Sequence, residues 1–333
     1  MFSLFHSGLC PIGIDVGTHA LRMVQFRPSA EGLRLQAACR IELDSLDAGS
    51  AGVARAAAAV RHGLSGQDFR GRSVVLALPA SCVHSKSVRL PQMPDSDLHQ
   101  ALQWEARDRF GFDIGNGSGQ LVWFRAGEVR RGTEVKDEIL LFAVEGGVLN
   151  DYIQSLTDLG LRLAAIDLGP CAIYRARRRT SDGIAPSALS AILDIGQAGS
   201  QFFVVRGEDL VFYKHIEIGG KALNEAVAAK LGITVPEALQ VRTRMLAQTA
   251  EDAAPLTQAV ADALAMVGRQ AGAAQLRETL AAALGLPVEE AQPLRGIQDL
   301  GAAARPDRSG EWALAAGLSL YPALTRAGLE AAA

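Results

Sequence analysis

The pattern of hydrophobic and polar positions predicts alternating strands and helices along the chain. Alternating or continuous apolar runs predict strands, and an apolar period of about 3.6 residues predicts helices. In the first half, strands are predicted at Leu33–Leu43, Ser73–Leu78, His84–Leu90, Glu138–Val144 and Leu161–Asp167. Helices are predicted at Ala51–Gly63, Asp95–Phe110, Gly147–Leu159 and Cys171–Arg179, and a helical stretch is predicted from Gly220 to about Ala265. This order of elements is typical of an α/β layer arrangement.

One strand–turn–strand pattern occurs twice, once in each half of the chain. Ile12–Thr18 (IGIDVGT) precedes an apolar alternation that ends at Phe26, and Ala191–Gln197 (AILDIGQ) precedes the apolar run Phe202–Val205. Each pattern predicts a strand that ends in Asp-x-Gly, a tight turn and a second strand that returns antiparallel. A repeat of this kind predicts two lobes of related design that face each other.

The predicted domain organisation follows from the repeat and from a change of texture after residue 80. The core of lobe one is predicted at 1–80 and 139–183, with a small inserted subdomain at 81–138. Lobe two is predicted at 184–219 and 262–333, with a helical subdomain at 220–261. The charge run Arg175–Arg179 between the lobes is interpreted as a solvated helix end followed by a linker.

Length and composition fit this organisation and exclude several classes of protein. A chain of 333 residues is long enough for two cores, and 49% hydrophobic with 21% charged residues is typical of a globular protein. A net charge of −3, without a clustered basic face, argues against nucleic-acid binding. The four cysteines are far apart and form no CxxC pair, and no apolar run is long enough to span a bilayer. We therefore expect a cytoplasmic protein without a transmembrane segment.

The two predicted turns carry residues suited to a phosphate chain. Phosphate-binding turns use glycine and small hydroxyl residues because the main chain must approach the phosphate closely. The first turn supplies Gly17 and Thr18, and the second supplies Gly196, Gly199 and Ser200. Asp15 and Asp194 directly precede the turns, where a carboxylate can hold Mg²⁺ directly or through water. A single Asp-x-Gly turn is more often an ordinary hairpin, and only the matched pair favours a nucleotide site.

The motifs together resemble a known family. Gly13–Thr18, Leu193–Gly196 and Ile216–Gly220 resemble the phosphate motifs and the Gly-Gly segment of the actin, FtsA and heat-shock-chaperone ATPase clan. A finer resemblance is to the PilM family of type IV pilus assembly. It is carried by Ala77–Ala80, Ser87–Pro91, Gln103–Arg107, Ile218–Leu223 and Leu284–Val288. The resemblance implies a two-lobe actin-like (ribonuclease-H-like) α/β fold with a small inserted subdomain in lobe one.

This resemblance also implies ligands and partners. It implies ATP with Mg²⁺ between the lobes, and an activity of at most slow ATP hydrolysis. It implies capture of the cytoplasmic tail of a PilN-like inner-membrane protein, at the inner face of the inner membrane. The tail is expected in a groove around Leu78–Leu90 and Trp104–Phe112. The implied cofactor-binding residues are Asp15, Gly17, Thr18, Arg22, Asp194, Gly196, Gly199, Ser200, Gly219, Gly220, Asn224, Glu237 and Gly272.

The chain departs from the family pattern at two positions. Arg22 stands where lysine is usual, and Ala271–Ala274 carries the single glycine Gly272 where the family shows a Gly-Gly-Gly-Ala adenosine loop. The added β-carbons narrow the space for a purine, so a nucleotide-free adaptor remains an alternative. A small-molecule kinase of the same clan is a further alternative, but no convincing general base or set of substrate ligands is found.

Overall fold

A computed structural model describes residues 8–43, 50–114, 118–180, 188–247, 281, 287–289, 291–300 and 310–321. The strands are β1 Ile12–Val16, β2 Ala20–Ser29, β3 Gly32–Glu42, β4 Ser73–Ala77, β5 His84–Pro91, β6 Gly119–Arg131, β7 Glu134–Glu145, β8 Arg162–Asp167, β9 Leu189–Ile195, β10 Ser200–Arg206 and β11 Asp209–Ile216. The helices are α1 Ser50–Gly66, α2 Asp95–Phe110, α3 Gly146–Asp158, α4 Gly169–Arg179, α5 Gly220–Leu231, α6 Val235–Ala247 and α7 Ala313–Ser319.

The first sheet has five strands in the order β3-β2-β1-β4-β8. β1, β2 and β3 are antiparallel neighbours, whereas β4 and β8 run parallel to β1. The residues Ile12, Ile14 and Val16 on one face of β1 pack in a core with α1 and α3. β1 and β4 read as nearly continuous apolar runs because the sheet is covered on both faces.

The second sheet is built from the second predicted hairpin and has the order β11-β10-β9. Its strands are antiparallel, as the repeat predicted. Ile192, Phe203 and Val205 pack on one face with Ile173 of α4. After β11, α5 and α6 pack against each other through a small apolar cluster that includes Val227 and Ala238.

The third sheet, β5-β7-β6, carries α2 on one face. The strand predicted at Glu138–Val144 is confirmed, although it does not join the five-stranded first sheet. Those residues form the second part of β7, which pairs along its length with both β5 and β6. Asp137 of this strand is buried within ion-pairing distance of Arg125 (3.4 Å between Oδ2 and Nε). The predicted domain limits remain a prediction.

Helix α7 is buried on all sides against the first sheet and α4. A β-carbon on Gly13 of β1 would lie 2.2 Å from the carbonyl oxygen of Ala315, and one on Gly317 would lie 1.8 Å from that of Ala172. Only glycine permits such close backbone contact. The hydroxyl of Ser319 donates to the carbonyl of Pro11 at 2.9 Å, which fixes α7 to the start of β1.

The sequence analysis expected a solvated helix end at the arginine run of α4, and this holds for the exposed Arg178 but not for Arg175 and Arg179. Arg175 is 9% exposed and donates from Nη1 to Asp167 Oδ2 at 2.8 Å and to the carbonyl of Gly317 at 2.9 Å. Arg179 donates to the carbonyls of Pro293 and Arg295. The run therefore fastens α4 to β8, α7 and the segment at 293–295, since a buried arginine requires such partners.

Candidate functional site

The first hairpin places Asp15 and Arg22 directly opposite each other on β1 and β2. Arg22 Nη1 donates to Asp15 Oδ2 at 3.2 Å, and the turn is closed by a 3.1 Å hydrogen bond from the amide of Gly17 to the carbonyl of Ala20. Asp15 is only 8% exposed. Burial raises the pKa of its carboxyl, and the charge and hydrogen bond of Arg22 oppose that rise. Thr18 lies at the tip of this turn and is partly exposed.

The second hairpin repeats this arrangement with different chemistry. Asp194 on β9 lies opposite Gln201 on β10, whose amide Nε2 donates to Asp194 Oδ2 at 3.3 Å. Tyr213 donates to Gln201 Oε1 at 3.0 Å and so orients the amide. Burial first, and then the negative charge of Asp15, raise the pKa of Asp194 to about 6, while Arg22 acts in the opposite direction. The two carboxylates are therefore near enough for the charge of Asp15 to raise the pKa of Asp194.

The turn of the second hairpin is fastened to the start of α5. The amide of Gly220 donates to the carbonyl of Gly196, and the amide of Lys221 donates to the carbonyl of Gln197, both at 2.9 Å. The first amides of a helix have no partner within it and are common anion ligands. Here the amides of Gly220 and Lys221 already bind the turn of the second hairpin and hold Gly196 in place. A phosphate at the start of α5 would therefore have to bind other amides.

Gly199, Ser200 and Gly219 lie beside this contact. Ser200 is fully buried, and its hydroxyl donates to the carbonyl of Ile218 at 2.6 Å. The amide of Leu223 donates to the carbonyl of Gly219 at 3.2 Å, which begins α5. Ser200 thus joins β10 to the approach of α5, and a contact from its hydroxyl to phosphate remains a prediction.

The remaining predicted ligands are farther along the chain. Asn224 is buried on α5, one turn after Gly220. Glu237 accepts hydrogen bonds from the amide and the hydroxyl of Thr234 at 2.8 and 2.7 Å, which is a helix-capping box at the start of α6. These bonds lower the pKa of Glu237. A ribose contact by Glu237 remains a prediction, and Gly272 lies outside the described residues.

The end of the site that would hold phosphate and metal fits those groups. Asp15 and Asp194 supply two carboxylates, and Mg²⁺ commonly takes few protein ligands and keeps several waters. No cluster of three or more metal-ligating side chains occurs in the described part of the chain. Four buried side-chain nitrogens have no hydrogen-bond partner among the described residues and lie near one or the other turn: His19 Nδ1, Arg22 Nε, Arg40 Nε and His215 Nδ1. Buried groups without partners are rare, and these four are candidate donors or acceptors for a polar ligand. Arg179 Nε on α4 also has no hydrogen-bond partner among the described residues.

Comparison with the sequence profiles of known protein families shows to which family this chain belongs. Residues 13–254, more than half of the chain, match the sequence profile of the type IV pilus assembly protein PilM. The chain belongs to the PilM family. None of the curated proteins matches the chain at a significant level. The resemblance inferred from the motifs is confirmed.

Solved structures confirm the actin-like two-lobe fold. A structure described as the PilM-PilN type IV pilus biogenesis complex is 21% identical, with a TM-score of 0.69, and covers 93% of this chain and 98% of its own. The ethanolamine utilization protein EutJ from Carboxydothermus hydrogenoformans is 13% identical, with a TM-score of 0.52, and covers 93% of this chain and 89% of its own. At these identities the likeness shows the fold alone.

A second candidate site of this PilM-family chain lies on the third sheet. Trp104 of α2 is 70% exposed, which is unusual for so large an apolar side chain. It borders a cavity of about 340 Å³ whose lining residues are Leu90, Ala101, Trp104, Glu105 and Asp108. β5, which carries Leu90, is an edge strand of its sheet. The cavity falls within the region in which the sequence analysis expected a peptide groove.

Sequence reasoning missed two residues near the first hairpin. Arg40 lies opposite Arg22 on β3, and Glu311, in the short turn before α7, lies 3.4 Å from Arg40 Nε. Arg40 belongs to an ordinary alternating strand pattern, and Glu311 follows Arg22 of the first hairpin by almost 300 residues in sequence. Neither residue carries a local signal, because their proximity depends on how α7 packs.

No helix of the described residues is long and apolar enough to cross a membrane.

Proposed function

We propose that this chain is a cytoplasmic scaffold of type IV pilus assembly, or of a related secretion system, that binds Mg-ATP and captures the cytoplasmic tail of a PilN-like inner-membrane protein. It would associate with the inner face of the inner membrane through that partner. Membership of the PilM family supports the pilus role. The observation that carries the nucleotide part is the pair of matched hairpins, in which Asp15 and Asp194 hold equivalent positions and the charge of one acts on the other.

The nucleotide would lie between the hairpins, with its phosphates toward Gly17, Thr18, Gly196 and Gly199. Asp15 and Asp194 would hold Mg²⁺ directly or through its waters, which offsets the repulsion between their carboxylates. Arg22, which pairs with Asp15, would share its guanidinium between that carboxylate and a phosphate oxygen. Because the ligand joins residues of both lobes, it would favour the closed arrangement if that arrangement binds it more tightly.

The partner's tail would bind beside β5 and α2. An extended peptide can pair with the open edge of β5 and place apolar side chains against Leu90 and Trp104. Glu105 and Asp108 at the same cavity favour a tail that also carries a basic residue. The exposed face of Trp104 suits such a cation as well, because aromatic faces attract cations.

Titration of the purified protein with a fluorescent ATP analogue and Mg²⁺ tests the nucleotide part. Saturable binding that is lost in Asp194→Ala but kept in Asp209→Ala, an exposed aspartate of β11, would support the site. Absence of binding at millimolar nucleotide would contradict it. Affinity for a PilN-tail peptide, measured with and without Mg-ATP and with Trp104→Ala, tests the groove. Equal affinity in both conditions would remove the coupling between the two sites.

The second candidate function is a nucleotide-free adaptor that works through the groove alone. It is favoured by the two amides at the start of α5, since both are already bonded to the turn of the second hairpin. It is also favoured by the departure of the loop at Gly272 from the family pattern. The titration with ATP and Mg²⁺ separates the two candidates.

A further inference from the structure

Asp15, Arg22 and Arg40 form a row across three neighbouring strands. Asp15 pairs with Arg22 in the β1–β2 register, and Arg22 pairs with Arg40 in the β2–β3 register. Residues directly opposite in neighbouring strands point to the same face of a sheet. Gly13, two residues before Asp15, lies on that face against α7, so the row lies on the α7 side of the sheet.

The carboxylate of Glu311 lies over the two arginines. Its Oε2 is 3.4 Å from Arg40 Nε and 3.9 Å from Arg22 Nη2. The side chains of Glu311, Arg22 and Arg40 are 22%, 20% and 27% exposed, so the group is largely screened from water. Despite the ion pairs, neither Arg22 Nε nor Arg40 Nε has a hydrogen-bond partner among the described residues.

We propose that Arg40 and Arg22 together form a binding site for a nucleotide phosphate, and that Glu311 occupies this site when no phosphate is bound. Two guanidinium groups side by side present donors that match the oxygens of a phosphate. Asp15 accepts from Arg22 and Glu42 from Arg40, each through Nη1, and Glu311 lies against both arginines, yet both Nε atoms stay without a hydrogen-bond partner among the described residues. The unpartnered Nε atoms are the donors left over. This inference rests on the proposed binding of Mg-ATP, and it adds Arg40 to the site and a competitor within the chain.

Competition follows from charge. Glu311 and a phosphate cannot both lie against the same arginine pair, because two anions in a poorly solvated site repel each other. A phosphate must therefore displace Glu311. The free energy of nucleotide binding is less favourable than it would be without Glu311, by the free energy of the contacts that Glu311 loses. Glu311 directly precedes Trp312 and α7, so its displacement would also change the contact at the start of that helix.

The test compares the affinity of three variants for a fluorescent ATP analogue with Mg²⁺. Glu311→Gln keeps the size of the side chain but removes its charge, and we expect it to raise affinity about tenfold. Arg40→Gln should lower affinity by about tenfold. Glu31→Gln is the charge-matched control, because Glu31 is exposed, pairs with Arg34 and lies at the other end of β3. We expect it to change affinity less than about twofold.

The opposite directions of the two main variants separate a direct role from damage to the fold, since damage would weaken binding in both. Equal affinities of Glu311→Gln and Glu31→Gln, or unchanged affinity in Arg40→Gln, would overturn the inference while leaving the proposed function intact. Failure of every protein to bind at millimolar nucleotide would overturn both. Binding by Glu311→Gln alone would support competition by Glu311 but would contradict Mg-ATP binding by the unaltered protein. Inorganic phosphate, added as a competitor, should displace the analogue weakly if the pair binds nucleotide phosphate, and as strongly as ATP if it binds free phosphate.

Discussion

The two hairpins of this protein have the same strand–turn–strand arrangement but different electrostatic environments. Asp15 and Asp194 occupy equivalent positions, and each lies opposite the residue seven positions later. In the first hairpin that residue is the cation Arg22, and in the second it is the neutral Gln201. The repeated pattern thus specifies the turn, whereas the cross-strand partner decides whether the carboxylate has a counter-charge.

The surroundings of the two central strands differ as well. Gly13 of β1 has its equivalent in Ile192 of β9, since both lie two residues before the aspartate. The backbone of α7 packs against Gly13, whereas Ile192 fills an apolar core. β1 is flanked by the parallel strand β4, and β9 has no such neighbour within the described part of the chain. One local pattern therefore serves two kinds of packing.

The largest expected effect comes from adding a side chain at Gly13 of β1, where β9 carries Ile192. Even the methyl group of Gly13→Ala would overlap the carbonyl of Ala315, so α7 must shift. We expect the free energy of unfolding to fall by about 3 kcal/mol. Chemical denaturation measures this, with Gly147→Ala of α3 as the control. Space around Gly147 is open, and alanine there should be neutral or stabilising by up to about 1 kcal/mol. An equal result for both variants would show that α7 does not approach β1 so closely.

A smaller effect is expected from the charge of Asp194 in the nucleotide-free protein. Its pKa rises from 3.8 to about 6 on folding, so the folded protein binds this proton more tightly than the unfolded chain. Stability should therefore fall as pH rises from about 4 to about 6, and the full cost is present above pH 6. Asp194→Asn should stabilise the protein by on the order of 2 kcal/mol at pH 7.5 without Mg²⁺, and by little at pH 4. Urea denaturation at the two pH values measures the difference, and a gain that did not depend on pH would contradict the assignment.

The smallest expected effect comes from giving the second hairpin the partner of the first. Gln201→Arg places a cation opposite Asp194 and should lower the pKa of that carboxyl toward its ordinary value. The loss of stability between pH 4 and 6 should then shrink by about 1 kcal/mol. Gln201→Met, which removes the hydrogen bond without adding charge, is the matched control and should leave the pH dependence at least as steep. A pH dependence identical in both variants would mean that the cross-strand partner does not control Asp194.

The hairpins and most helices could be predicted because their signals are local. Alternating apolar residues and an Asp-x-Gly turn specify β1, β2, β9 and β10 in sequence order. β7 begins at Glu134, before the predicted start at Glu138, and the contact of Asp137 with Arg125 shows how the strand accommodates a buried carboxylate. Local sequence does not contain that contact, since Arg125 lies on the neighbouring strand.

The sequence predicted the hairpins that carry the turn residues, but not the residues that approach them from other parts of the chain. Glu237 matched a family position, yet its carboxylate caps α6 through Thr234. Arg175 read as one of several surface arginines, but the packing of α4 on α7 buries it beside Asp167. Glu311 carries no motif at all. The positions of Arg175 and Glu311 depend on contacts with residues distant in sequence, which periodicity cannot report, whereas the cap of Glu237 on Thr234 is a local contact three residues long.

The contact between Ser319 and Pro11 has a consequence for how the protein is made. The two residues are 308 positions apart, and the amide of Phe26 also donates to Ser319 across 293 positions. A ribosome completes α7 long after it has made β1 and β2. Contacts of such high sequence separation form late and slowly. The face of the first sheet that α7 covers therefore lacks this helix during nearly the whole of translation. During this interval the nascent chain most needs protection from aggregation.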